Sequence, residues 1–245
     1  MRGLRNCSGA LVCLTCLSIS PPAQAYRPFD STDPAVAAPG KFEIELSPLS
    51  FRRNDAGQTW ITPQVRFNYG FAQNWEVVLE GQGEHPQYKG GRSALNENAL
   101  SLKAVLREGS LQEKTGISIA SEVGLLLPEW HGDTGTGAMA AFIAGQKFSW
   151  GAVHVNLAGA LTREKRAELF AGAILEGPGS WTLRPVAEFV YERVYGGEEQ
   201  LALLGGVIWQ AKEDLAFDFA LRQASLGGRP ETEIRAGVTF AFSSK

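Results

Sequence analysis

The chain has 245 residues, with 23 Lys+Arg against 26 Asp+Glu and a formal charge of −3. That balance offers no basic surplus to nucleic acid, which excludes it as a partner. Hydrophobic residues make up 44%, yet no stretch supplies the roughly 18–20 consecutive apolar residues of a membrane-spanning helix.

Met1 to Ala25 opens with Arg2 and Arg5, continues through an apolar run from Ala10 to Leu17, and ends Ala23-Gln24-Ala25. A positive start, a short apolar middle and an Ala-x-Ala close predict a secretory signal peptide over 1–25, cleaved after Ala25. Cys7, Cys13 and Cys16 all fall inside it. The 245 − 25 = 220 residues left carry 21 basic and 26 acidic groups, a net charge of −5, and no cysteine. Disulfides, thiolate nucleophiles and cysteine metal sites are thereby excluded from the exported part.

Tyr26 to Gly40 contains Pro and Ala without alternation. It reads as a periplasmic tail, or alternatively as a partial plug folded into the mouth of a barrel built from the rest of the chain. From Lys41 onward, over 41–245, the pattern has period two. Phe42-Glu43-Ile44-Glu45-Leu46 puts acids and apolar groups on opposite faces, and Ile61 to Tyr69 sorts Ile, Pro, Val, Phe, Tyr against Thr, Gln, Arg, Asn over nine residues. The same sorting recurs in Trp75 to Glu80, Leu100 to Arg107, Trp181 to Glu192, Leu215 to Arg222 and Glu233 to Phe242. Each is a strand with one apolar and one polar face, separated by turn signals such as Asn54-Asp55-Ala56-Gly57 and Gly227-Gly228. The expected strands are 41–53, 58–70, 74–83, 98–108, 116–128, 136–148, 151–162, 167–176, 180–193, 200–210, 214–225 and 231–242. Three, around Ala140, Phe170 and Leu204, are apolar on both faces or rich in Ala and Gly, which leaves ten strands open.

Alternation fits a soluble β-protein or an inside-out barrel. Ionisable groups of both signs in mid-strand favour the second: Glu43, Glu45, Arg66, Glu76, Glu80, Lys103, Glu122, Arg184, Glu188, Glu192, Asp218, Arg222, Glu233 and Arg235 are expected to line a lumen. Trp60, Trp75, Trp130, Trp150, Trp181, Trp209 and Phe242 fall at strand ends, as aromatic girdles at two bilayer interfaces would. One set of turns is mostly short; the other includes Glu84 to Glu97 and Glu129 to Gly135. These features predict an all-β, antiparallel, up-and-down transmembrane β-barrel of about twelve strands in the bacterial outer membrane. The expected partners are the lipid bilayer, the barrel-assembly machinery and small solutes.

Arg27-Pro28-Phe29 through Asp33 to Pro39-Gly40 and Phe42-Glu43-Ile44-Glu45, then Asn68-Tyr69-Gly70-Phe71-Ala72-Gln73-Asn74-Trp75-Glu76, and finally Arg235-Ala236-Gly237, resemble a family of outer-membrane β-barrel proteins. That family is described as transporters or channels and is linked by name to the phenol-degradation meta-pathway. The resemblance implies a barrel and hydrophobic or aromatic cargo; it transfers no set of ligand-binding residues.

Outer-membrane lipid hydrolases place a Ser two residues after a strand His, so that imidazole can take the hydroxyl proton. Here His154 is followed by Val155-Asn156, an amide at the nucleophile position, and His85 and His131 fall in expected loops. Glu43/Glu45 and Glu188/Glu192 are neighbours on one strand face rather than paired catalytic acids. No catalytic, cofactor or metal residue is expected. The function expected is passive passage of small solutes. Nine acids and five bases among the lumen residues imply a mild cation preference. A lipid-modifying hydrolase, or an occluded structural or receptor barrel, is the alternative.

Overall fold

The computed structural model describes residues 27–243; the predicted signal peptide with its cleavage point, Tyr26 and the last two residues lie outside the described residues. Thirteen strand segments follow one another: β1 (Lys41–Ser47), β2 (Ser50–Asn54), β3 (Gly57–Ala72), β4 (Trp75–Pro86), β5 (Ala94–Arg107), β6 (Ser118–Leu126), β7 (Gly137–Phe148), β8 (Gly151–Leu161), β9 (Ala167–Glu176), β10 (Leu183–Val194), β11 (Glu199–Lys212), β12 (Leu215–Leu226) and β13 (Arg229–Ser243). From β2 to β13 each pairs antiparallel with its neighbour in sequence. Both β1 and β2 pair with β3 on one side and β13 on the other. They are therefore two halves of one stave, and the sheet closes as a twelve-stranded barrel with no free edge. The segments around Ala140, Phe170 and Leu204 lie in β7, β9 and β11, which settles the count at twelve rather than ten. Lys41 stands opposite Ser243, so the first and last staves start and finish at one end of the barrel, called here the near end.

The expected single strand over 41–53 is broken at Pro48–Leu49. Pairing runs to Ser47↔Gln64 and resumes at Ser50↔Ile61. Proline has no N–H to give the ladder, and side chains take over: the Thr62 hydroxyl donates to the Pro48 carbonyl at 2.6 Å and the Ser47 hydroxyl to the Ala236 carbonyl at 2.8 Å. The break resets the alternation. Glu43, Glu45 and Ser47 face inward before it, Ser50 and Arg52 after it. Opposite, β3 carries a register shift between Ile61 and Gln64 around Pro63, a bulge that swaps faces in the same way. Ile61 is consequently buried, at 2% exposure, on the same side as Gln64 and Arg66, not with Phe67 and Tyr69 as uninterrupted alternation implied.

Half of the span from Glu84 to Glu97, expected as a long loop, is strand. β4 runs to Pro86 and β5 begins at Ala94, which places His85 and Glu97 on strands. His85 lies at a strand end, its ring nitrogens 2.9 Å from Ser93 Oγ and 3.0 Å from the Thr62 carbonyl. Polarity is inverted relative to a soluble protein. Phe67, Leu79, Val123, Phe142, Leu157, Phe189 and Phe219 are exposed on the outside, whereas Glu45, Glu76, Lys103, Glu122, His154, Glu188 and Arg222 are buried within.

Candidate functional site

Because side chains alternate across a strand, every second residue of twelve strands projects into one shared interior. Glu43, Glu45, Glu76, Lys103, Glu122, Glu188, Asp218, Arg222, Glu233 and Arg235 are buried there. Arg66, Glu80, Arg184 and Glu192 are less enclosed and border interior cavities. Opposite charges meet between neighbouring staves and, for Arg66 and Glu122, across the two staves between β3 and β6. Arg66 lies 2.8 Å from Glu80 and 3.5 Å from Glu122, Lys103 lies 3.8 Å from Glu76, and Arg184 lies 3.8 Å from Glu176. Glu45 accepts from the Asn68 amide at 3.1 Å, and Glu122 from the Ser101 hydroxyl. Arg52 pairs with Glu84 and Glu231. The expected alternation hid Arg52, since only the Pro48 break turns it inward.

The interior is not empty. Residues 27–40 enter it and cross it, held by wall side chains rather than by strand pairing. The Glu188 carboxylate accepts the backbone N–H groups of Asp30 and Ser31 at 2.9 and 2.7 Å. The Asn156 side chain accepts the Thr32 N–H at 3.1 Å and donates to the Thr32 carbonyl at 2.7 Å, pairing with the backbone as a strand would. Lys103 Nζ donates to Thr32 Oγ1 at 3.1 Å, and Glu76 accepts the Ala37 N–H at 2.7 Å. Buried backbone groups need such partners, and charged ones make stronger bonds. Small residues make room: a Cβ on Gly172 would lie 1.9 Å from Ser31 Oγ, and one on Gly70 2.2 Å from the Ala37 carbonyl oxygen. The segment leaves at the near end, where Gly40 N–H donates to Gly70 and Lys41 N–H to Ala38.

Arg27 and Asp30 bind the wall by charge. Arg27 Nη1 donates to Gln64 Oε1 at 2.7 Å and its Nε lies 3.4 Å from Asp218. Asp30 receives Arg222 Nε at 2.8 Å on one oxygen and Arg235 Nη2 at 2.7 Å on the other. Burial would raise the Asp30 carboxyl, but the Arg235 and Arg222 guanidiniums beside it hold it at about 2, below the usual 3.8. It is ionised at neutral pH. Arg27 and Asp30 escaped the sequence reading because their segment has no period; the visible signal was an Arg and two Asp within seven residues that no turn required.

Beyond this segment, toward the far end, lies a cavity of ≈ 380 Å³. Arg27 to Ser31 form its floor, and its walls include Arg52, Arg66, Glu80, Glu97, Glu192 and Arg222. Below the segment a second space of ≈ 100 Å³ is bordered by Asp33, Lys147, His154, Glu176 and Arg184. His154 is buried with Nε2 3.1 Å from Glu176 Oε1, and Asn156 holds Thr32. The positions weighed for a lipid-hydrolase dyad thus serve a side-chain hydrogen bond and backbone binding. Outside, Trp75, Trp150, Trp181, Trp209 and Phe242 stand at the near end, with Trp60 and Trp130 at the far end, all between 37% and 62% exposed.

No family model and no curated protein matches the chain. Solved structures do share its fold. The NanC porin superposes with TM-score 0.59 at 7% identity, covering 81% of this chain and 98% of that one. The COG4313 outer membrane channel from Pseudomonas putida F1 gives 0.58 at 9% identity, covering 87% and 100%. The KdgM porin gives 0.54 at 10% identity, covering 82% and 99%. At such identities the likeness is one of fold, and the neighbours named are porins and channels.

Proposed function

We propose that this chain is an outer-membrane β-barrel pore that passes small solutes and whose near half is narrowed by residues 27–40. One observation carries the reading: a closed barrel with an apolar exterior encloses ion-paired polar side chains and a cavity of ≈ 380 Å³. Only a bilayer makes that polarity favourable, since hydrocarbon accepts the outer face and water the lumen. The exposed tryptophans at both ends serve as interfacial girdles, and the charged interior residues line the conduit. An exported barrel of this kind would use the predicted signal peptide and the assembly machinery of the outer membrane. The porin and channel names of its structural neighbours agree with passage rather than catalysis, and the family resemblance extends the cargo to hydrophobic or aromatic compounds.

Planar bilayers doped with the purified chain test this. Discrete conductance steps are expected, with a mild cation preference from seven carboxylates against five guanidiniums around the cavity. A folded barrel, verified by its mobility shift on boiling, that carries no current would overturn the pore reading and favour an occluded receptor. The bilayer placement is tested separately at Leu157, 54% exposed in mid-strand beside Phe142. Leu157→Arg should cost roughly 2–4 kcal/mol of unfolding free energy in liposomes. A change below about 0.5 kcal/mol, the usual effect of a soluble surface substitution, would contradict it.

A further inference from the structure

Two wall arginines grip a carboxylate that belongs to the chain but not to the wall. Arg222 stands opposite Glu233 on β13, two residues from Arg235, so the two arginines are diagonal neighbours on the inner face. Their side chains are more than nine-tenths buried. Each already has an acid within the wall: Glu231 lies 3.4 Å from Arg222 and Glu233 lies 2.8 Å from Arg235. Each nonetheless keeps donors aimed at a common point beside the larger cavity, and Asp30 occupies that point. We infer that the Arg222–Arg235 pair is a binding site for the carboxylate of a small monocarboxylate solute, which Asp30 fills as an internal stand-in. The inference rests on the pore reading and deepens it by naming the class of solute.

Exchange of one carboxylate for another conserves both charge and hydrogen-bond acceptors at the arginines. It therefore avoids the penalty of leaving a buried cation without its anion, which a neutral solute would incur. The rest of the lining indicates what the carboxylate is attached to. Phe29, Ile61, Val65 and Phe170 give the cavity apolar surface, suited to a ring or short aliphatic body. Glu80, Glu97 and Glu192 border the same space and repel a second negative charge, which selects against dianions. A volume of ≈ 380 Å³ lies within the range of small-molecule pockets. Once a solute holds the arginines, Asp30 loses its charge anchor, and the segment stays tied to the wall through Arg27 on Gln64 and Asp218 and through Glu188, Asn156, Lys103 and Glu76.

Calorimetric titration of the full chain in detergent with benzoate, benzamide and phthalate tests the site. Benzoate should bind, with phthalate weaker by roughly tenfold or more and benzamide not detectably bound. Asp30→Asn should bind benzoate roughly tenfold more tightly, because the internal competitor is weakened, whereas Arg235→Gln should weaken it by a similar factor. The Asp30→Asn gain is the decisive arm, since damage to folding would lower affinity, not raise it. Benzamide binding as well as benzoate, or an Asp30→Asn chain that binds no tighter, would overturn the inference. Bilayer recordings on the same preparation separate the two claims. A conducting chain that ignores benzoate removes the site alone; a silent chain that binds it in this pattern removes the pore alone.

Discussion

Removing residues 27–37 is expected to raise single-channel conductance by about threefold to tenfold, because current through a narrow lumen is set by its most constricted water path. In the intact chain that path must pass Ser31, Thr32, Asp33 and Pro34, all of them buried among wall side chains. Nothing else of comparable bulk crosses the interior among the described residues. Twelve strands enclose more room than an eight-stranded barrel, whose interior side chains fill, and less than an open porin of sixteen. One added stretch of chain can therefore dominate the resistance. The deletion keeps Ala38 to Gly40 and their hydrogen bonds to Gly70 and Lys41, so the first stave retains its start. It also strips Glu188, Asn156, Glu76, Arg222 and Arg235 of their contacts with the segment, but water then enters and solvates them, and the barrel should still shift its mobility on boiling. A deletion that folds yet conducts like the intact chain would show that the segment is not the obstruction.

The barrel itself was legible because its two solvents write a period-two pattern on almost every stave. The stave expected at 167–176 coincides with β9, and that at 151–162 ends one residue beyond β8. Where the inward-facing set was misassigned, proline was responsible. Pro48 and Pro63 sit almost side by side, one stopping a ladder and the other bulging it, and both reset which residues face inward. A phase carried across them misplaces Ile61 and conceals Arg52. The interior segment failed for a different reason. Residues 27–40 gain their structure from Glu188, Asn156, Lys103 and Glu76, whose bonds to the segment span between 39 and 158 positions of sequence, and no local period encodes a partner at that separation. Fourteen of the charges that line the interior were visible one by one, though Arg52, Glu97 and Glu231 were not; that a stretch of the same chain lies among them was not visible either.

The same burial makes Lys103 the most consequential single side chain. It is wholly inaccessible, 3.8 Å from an equally inaccessible Glu76 and 3.1 Å from Thr32 Oγ1. Lys103→Met keeps the length and apolar stem but takes away the ammonium beside Glu76, whose carboxylate still accepts the Ala37 N–H. Removing one partner of a buried ion pair costs about 3–5 kcal/mol, more than the pair itself contributes, because the remaining charge stays desolvated. Urea unfolding of the intact chain in detergent micelles should show that loss. Adding Glu76→Gln should recover most of it, since the two changes share one interaction and cannot be additive. The decisive comparison places Lys103→Met in the chain lacking residues 27–37. With the interior flooded, Glu76 is solvated whether or not the ammonium is present, and the cost should fall below about 1 kcal/mol, the value of an exposed pair. An undiminished cost there would mean that the wall alone, rather than the segment, keeps water from this pair, and the larger conductance expected of the deletion would lose its physical basis.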